Sequence, residues 1–237
     1  VVLIMAPWNY PFNLAMAPLI ATIAAGNTAI IKCSKESIYT SKVIKYIINK
    51  AFSSNYIFCV DEDIDYDELL NQRYDYIFFT GSQRVGKIVM NIASNKLIPI
   101  SLELGGKSPC IIDETADIKL AARRVLWGKL LNAGQTCVSV DYVLIHSSVK
   151  DRFIKYLKKE IKKRYPNALN SDTYPRIINE YHYKRLINLI KSEDSIIGGR
   201  GEDVVRRLEP TILPDVDFDH EIMKEEIFGP VLPIIEY

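Results

Sequence analysis

Short apolar runs alternate with stretches of helical periodicity through the first hundred residues. Residues 1–7 read as a strand, and residues 28–32 as a second. Val43, Ile44, Ile47, Ile48 and Ala51 then recur at helical spacing. Residues 56–60 and 75–79 are rich in β-branched and aromatic side chains and read as strands. Ser82 is a candidate N-cap for a helix that buries Val85, Val89 and Ile92, and residues 98–103 read as strand again. Repeated strand–helix–strand units predict an α/β fold, a parallel sheet with helices on its faces. After Gly105-Gly106 the texture changes. The pattern predicts a helix over 117–131 with apolar Leu120, Ala121, Val125 and Leu131, a polar loop over 132–139, and a strand over 142–145. A basic helix over 149–164, a helix over 177–190, a glycine turn at 198–201 and a strand over 231–237 follow. These textures place a boundary near residue 105, giving domains 1–104 and 105–237.

Composition narrows the field. The 237 residues are 48% hydrophobic and 25% charged, with 11 Gly and 11 Pro, which is ordinary globular usage. A net charge of +1 gives no overall pull toward nucleic acid or an anionic membrane. No apolar run approaches the roughly 18–20 residues that span a bilayer. The opening run lacks a basic leader and reads as a strand in mid-fold, not a secretion signal. A chain that opens and closes inside strands reads as a piece of a longer protein. Cys33, Cys59, Cys110 and Cys137 form no CxxC pair, and His146, His182 and His220 stand near none of them at zinc-ligand spacing, so no metal site is expected. Free thiols are favoured over two disulfides in a chain of this size without a secretory signal.

Ligands of an open parallel sheet bind beyond the carboxyl ends of its strands. Three such ends carry unusual residues: Lys32 and Ser34, Thr80-Gly81-Ser82, and Glu103-Leu104-Gly105-Gly106. Together they suggest a nucleotide site. The run from Gly81 to Lys87 matches seven positions of a P-loop, but Ile88 stands where a magnesium-ligating Ser or Thr belongs. A capped helix start, or a pyrophosphate resting on helix-terminal N–H groups and Ser82, is favoured over an NTPase. Cys137, in a small polar loop, is the best nucleophile candidate of the four cysteines, against the plain alternative of a loop cysteine. The basic helix reads as a solvated face over an anion-binding one.

Five motifs in order carry more than spacing can: Pro7-Trp8-Asn9-Tyr10-Pro11-Phe12, Phe79-Thr80-Gly81-Ser82, Leu102-Glu103-Leu104-Gly105-Gly106-Lys107-Ser108-Pro109, Gly134-Gln135-Thr136-Cys137 and Glu225-Glu226-Ile227-Phe228-Gly229-Pro230. The whole chain resembles an NAD(P)-dependent aldehyde dehydrogenase. With Arg176-Ile177-Ile178-Asn179 it is most similar to the class 3, fatty-aldehyde branch. The resemblance implies a Rossmann-like dinucleotide-binding domain followed by an α/β catalytic domain, both incomplete. It implies oxidation of an apolar aliphatic or aromatic aldehyde to the acid, with NAD or NADP as cofactor. Cys137 would attack the aldehyde, Asn9 and the Cys137 backbone N–H would hold the oxyanion, and Glu103 would activate water against the thioester. Gly81, Ser82 and Val85 would cradle the pyrophosphate, Lys32 would contact the adenosine ribose, and Glu226, with Phe228 beside it, the nicotinamide ribose. It further implies a homodimer at full length and a cytoplasmic protein, or one on the cytosolic side of a membrane through an anchor outside this chain. No nucleic acid partner is implied.

Two positions depart from the family pattern. Lys32-Cys33-Ser34-Lys35 stands where Lys-Pro-Ser-Glu is usual, so Lys35 replaces the Glu that binds the adenosine ribose. Asp61-Glu62-Asp63 replaces a glycine pair after the next strand. Lys35 could favour a 2′-phosphate, and hence NADP. Alternatively it pairs with the acidic run, Glu36 takes over the ribose, or the cofactor site is weakened. Two readings compete with the dehydrogenase: a non-catalytic nucleotide-binding module, and cofactor-independent ester or thioester hydrolysis by Cys137 and Glu103.

Overall fold

The computed structural model describes residues 1–191, 193 and 196–237. The chain forms two compact units, Val1–Gly105 and Gly106–Tyr237.

The first unit is built on five parallel strands: β1 (Val2–Met5), β2 (Ala29–Lys32), β3 (Ile57–Cys59), β4 (Tyr76–Thr80) and β5 (Ile100–Glu103), in the order β3-β2-β1-β4-β5. All four residues of β1 are buried, as a central parallel strand covered on both faces requires. Its side chains alternate between two cores. Val2 and Ile4 join Ile31, Ile57 and Cys59 beneath α1 (Pro11–Ala24) and α2 (Ile38–Ala51). Leu3 and Met5 join Ile77 and Phe79 beneath α3 (Tyr66–Leu70) and α4 (Gln83–Asn95). The chain runs outward from β1 through β2 to β3, then returns to β4 on the other side. The topological switch point therefore lies between β1 and β4. Register aligns the strand ends: Met5 faces Lys32 and Phe79, and Thr80 faces Glu103.

In α2 the buried stripe is Ser41, Ile44 and Ile48, while Val43 and Ile47 are exposed. These two sit about 100° round the helix from Ile44 and Ile48, off the face that meets the sheet. In α4 the buried stripe is Gly86, Val89 and Ala93, with Val85 and Ile92 at its border. Gly86 lets the helix lie close, since a Cβ there would stand 2.8 Å from a Leu104 methyl. The pattern did not reveal α1, which opens on Pro11, or the short α3, whose cap Asp65 accepts from the N–H groups of Asp67 and Glu68.

The second unit has a four-stranded parallel sheet of β6 (Pro109–Ile112), β7 (Tyr142–Ile145), β10 (Thr211–Leu213) and β11 (Val231–Glu236), in the order β10-β11-β7-β6. A two-stranded ribbon, β8 (Gly201–Glu202) and β9 (Arg207–Leu208), stands apart from it. Leu232 and Ile234 of β11 pack under α5 (Ile118–Leu130) and α6 (Ser147–Arg164), and Val231 and Ile235 under α7 (Glu180–Ile190). The face that α5 buries is Ile118, Ala122, Val125, Leu126, Lys129 and Leu130, whereas the expected Leu120 and Leu131 are exposed. On α6 the buried residues are Val149, Phe153, Leu157 and Glu160, the last bonded to Arg164. Asn179 caps α7 by accepting from the His182 N–H, so residues 177 and 178 stay extended instead of joining the helix. Neither β6 nor β10 was anticipated. All four cysteines are free thiols, with Cys33 and Cys59 buried and Cys110 and Cys137 partly exposed. Among the described residues no helix is long and apolar enough to cross a membrane, and no cluster of His, Cys, Asp or Glu could hold a metal.

The strand β3 ends the row in its sheet, and its outer backbone is answered by one side chain. Asn49 Nδ2 donates to the Cys59 carbonyl at 2.9 Å, and its Oδ1 accepts from the Cys59 N–H at 2.8 Å. Asn49→Ala strips both partners from a buried residue and is expected to destabilise the protein by about 1–3 kcal/mol. Urea unfolding of the whole protein reads this, and an unchanged midpoint would contradict it.

Candidate active site

In the first unit the predicted residues gather at the carboxyl ends of adjacent strands. Asn9 lies four residues beyond β1, half-buried, ahead of α1. Lys32 ends β2 and is buried; its Nζ sits 3.4 Å from the Tyr66 hydroxyl and 4.6 Å from the centre of that ring. Burial, reinforced by the charge of Lys35, holds the Lys32 ammonium below the ordinary lysine range. Lys35 itself is exposed on a 3-10 turn, Lys35–Ser37, whose start is capped by Ser34 accepting from the Glu36 N–H. Gly81 follows β4 and donates its N–H to the Glu103 carbonyl at 3.0 Å. A Cβ at Gly81 would stand 2.6 Å from the Phe79 ring. Ser82 Oγ accepts from the Val85 N–H, capping α4, whose first-turn N–H groups face this edge. Glu103, the last residue of β5, is exposed. Ile88 is exposed on α4. A shallow groove of about 490 Å³ between α2 and the acidic run, lined by Lys42, Lys45, Tyr46, Asn49, Asp61 and Glu62, contains none of the predicted catalytic or cofactor-binding residues.

In the second unit the Cys137 loop leaves α5 through a tight turn, Leu131–Gly134. Asn132, Ala133 and Gly134 adopt left-handed φ values of 52°, 53° and 76° in succession. At Gly134 this conformation favours glycine, and a Cβ would meet the Gly229 carbonyl oxygen at 2.2 Å. Side chains then pin the loop. Gln135, buried, donates its amide to the carbonyls of Asn132 (3.0 Å) and Arg176 (3.1 Å), and accepts from the Ile178 N–H at 2.9 Å. Ser139 Oγ donates to the Gly128 carbonyl at 3.2 Å. Cys137, half-buried between buried Thr136 and exposed Val138, sits where this framework reaches the surface.

The loop carrying Glu226 is held from beneath. Asp141, 3% exposed, accepts the Lys107 ammonium on one oxygen at 2.5 Å and the Ile227 N–H on the other at 3.0 Å. Lys107 also donates to the carbonyls of Ile222 (3.3 Å) and Glu225 (2.9 Å). Arg185 of α7 donates to the Ile227 carbonyl. Glu226 is half-buried; burial pushes its carboxyl above the usual range, opposed first by a hydrogen bond from the Gly106 N–H. Phe228, also half-buried, takes a left-handed φ of 50°.

The sequence profile of the aldehyde dehydrogenase family matches residues 1–237. The chain belongs to the aldehyde dehydrogenase family. It is 50% identical over 240 residues to the 4,4'-diaponeurosporen-aldehyde dehydrogenase of Staphylococcus aureus, an alignment covering 100% of this chain and 52% of that relative. It is 46% identical to mouse aldehyde dehydrogenase family 3 member A2, covering 99% of this chain and 49% of the relative. A solved structure described as the substrate bound state of Staphylococcus aureus AldH superimposes with a TM-score of 0.94 at 50% identity, over 100% of this chain and 52% of that one. The chain thus spans about half the length of the aldehyde dehydrogenases it matches.

Sequence reasoning quoted Gln135 and Lys107 within motifs without giving either a role, and it passed over Asp141, Tyr66 and Lys129. One signal was available. Lys129 continues the spacing of Ala122, Val125 and Leu126, a lysine on the apolar face of an aldehyde dehydrogenase helix. Gln135→Met keeps the bulk but removes three part-buried hydrogen bonds. It is expected to cost about 1–3 kcal/mol of stability and to speed alkylation of Cys137 by iodoacetamide. Unchanged unfolding and labelling rates would refute the clamp.

Proposed function

We propose that this chain belongs to an NAD(P)-dependent enzyme that oxidises an apolar aliphatic or aromatic aldehyde to its acid. The observation that carries the reading is the edge of the first unit. In an aldehyde dehydrogenase chain, Asn9, Lys32, Gly81, Ser82 and Glu103 stand at the carboxyl ends of four adjacent parallel strands, β2, β1, β4 and β5, around a switch point.

The residues present fit a dinucleotide. Gly81 keeps the approach to α4 clear, and the N-terminus of that helix suits a pyrophosphate. Val85 lies on its first turn, and Lys32 stands ready for the adenosine ribose. In the second unit Glu226, with Phe228 beside it, would hold the nicotinamide ribose. The bound cofactor supplies the hydride acceptor. The Cys137 thiolate adds to the aldehyde carbonyl to form a thiohemiacetal. The Asn9 amide and the Cys137 N–H stabilise the alkoxide, whose collapse leaves a thioester on Cys137. Glu103 takes a proton from the water that hydrolyses it and frees the thiol. Cys137→Ala should abolish turnover, and Asn9→Ala should lower kcat by roughly 10²–10³-fold. Absorbance of reduced nicotinamide with a medium-chain aldehyde measures both. Full turnover in Cys137→Ala would remove the reading, and dinucleotide binding without turnover in the wild type would favour a non-catalytic module.

Lys35 bears on the choice of cofactor. Asp61 pairs with Lys45, and Glu62 lies 4.0 Å from Lys42, while the charge of Lys35 acts on Lys32 and Tyr66. Two cations at the end of β2 suit a 2′-phosphate, and hence NADP. Lys35→Glu should shift the ratio of kcat/KM values from NADP toward NAD by at least about tenfold, the effect of roughly 1.4 kcal/mol at one charged contact. An unchanged ratio would return the choice of cofactor to other residues.

A further inference from the structure

The ammonium at the end of β2 is held by an aromatic side chain to which the dinucleotide reading gives no role. Lys32 lies two residues beyond Ile30, whose side chain joins the core beneath α3 and α4, so strand alternation turns Lys32 to that same face. There it is 3% exposed and meets Tyr66 twice. Its Nζ donates a long hydrogen bond to the Tyr66 hydroxyl at 3.4 Å, and it stands 4.6 Å from the centre of the Tyr66 ring. Glu62, the acid whose charge reaches Lys32, pairs instead with Lys42 at 4.0 Å. Tyr66 is well anchored for this contact. It opens α3, where Asp65 caps the helix by accepting from the N–H groups of Asp67 and Glu68. Leu69 and Leu70 bury the other end, and the Tyr74 hydroxyl donates to the Leu69 carbonyl at 2.9 Å. The N-terminus of α4, which suits a pyrophosphate, belongs to the same side of the sheet.

We propose that Tyr66 is a positioning residue for dinucleotide binding: its hydroxyl and ring face hold the Lys32 ammonium in place for the adenosine ribose. This rests on the reading of Lys32 given above. An ammonium has three donors; Tyr66 takes one and leaves two for the ribose hydroxyls or a 2′-phosphate. A lysine side chain turns about four bonds, and one already ordered by a neighbour costs less to order when the ligand arrives. The neutral partner matters too. A carboxylate in the place of Tyr66 would cancel the charge that the ligand needs, whereas a phenol and its ring face hold a cation and leave its charge intact.

The test is a double-mutant cycle on the whole protein: wild type, Tyr66→Leu, Lys32→Met and the two combined, with Tyr66→Phe beside them. Calorimetric titration with ADP-ribose, with and without a 2′-phosphate, reads the adenosine end, and steady-state KM and kcat are measured in parallel. Tyr66→Leu should bind the better of the two probes about five- to tenfold more weakly, and Tyr66→Phe, which keeps the ring, about two- to threefold more weakly. KM for the dinucleotide should rise with little change in kcat. In the Lys32→Met background Tyr66→Leu should weaken binding by less than about twofold further, because its effect passes through the lysine. A folded Tyr66→Leu with wild-type affinity overturns the proposal while leaving Lys32 in its role, and so does an undiminished Tyr66→Leu effect in the Lys32→Met background. Wild-type affinity in Lys32→Met overturns the reading of Lys32 and the proposal with it. If Tyr66→Leu does not fold, Tyr66→Phe decides: wild-type affinity there overturns the proposal.

Discussion

A carboxylate taken out of water must be answered on both oxygens, and Asp141 shows what that demand organises. Its partners are the ammonium of Lys107 and the backbone N–H of Ile227, so one side chain joins the segment before β6, the segment before β7 and the loop that carries Glu226 and Phe228. Removing one partner of such a buried set leaves the other uncompensated, and such losses commonly cost several kcal/mol. The Glu226 loop has no helix or strand across 224–230 to hold it. Its shape comes from Lys107, Asp141 and Arg185 reaching its carbonyls and N–H from below.

In the first unit the governing constraint is topological. A parallel sheet wound in both directions from its centre leaves a crevice where the winding reverses, and register sets which residues rim it. Because Met5 is level with Lys32 and Phe79, and Thr80 with Glu103, four strands end within a residue or two of one line. The polar residues just past those ends share an edge although up to 94 positions separate them, as Asn9 and Glu103 do. Burial does the rest: the strands are largely apolar up to their last residues, and the polar side chains gather where the sheet stops.

Much of this was legible. Strands with β-branched runs, such as β2, β4 and β7, were found to within a residue or two, as was the Ser82 cap of α4. Elements with a weaker signature were not. The helix α1 is apolar nearly all round and shows no stripe, and the four residues of β6 begin with Pro109, which reads as a break. On α5 the apolar letters outnumber the buried positions, and rotation about the axis decides that Leu126 is inside and Leu120 outside. The candidate site stands out in the sequence where chemistry selects a residue type, as at Cys137, Glu103 and Asn9, whose roles are those proposed above. It was not readable where the work is support. A glutamine that clamps a loop, or an aspartate beneath one, looks like any other polar letter until the chain folds around it. Lys129 was the exception that spacing could have exposed.

The contact of Gly134 with the Gly229 carbonyl has a consequence for portability. Two loops, one leading to Cys137 and one following Phe228, meet backbone to backbone with no room for a side chain. Neither loop has a shape of its own to export: the first needs Gly229 opposite it and Gln135 anchored at residues 176–178, and the second needs Asp141 beneath it. A graft that carried only the Gly134–Cys137 motif to another scaffold would move the letters and leave the geometry behind. The smallest transferable piece is the set of segments that close on one another, drawn from positions 107 to 229.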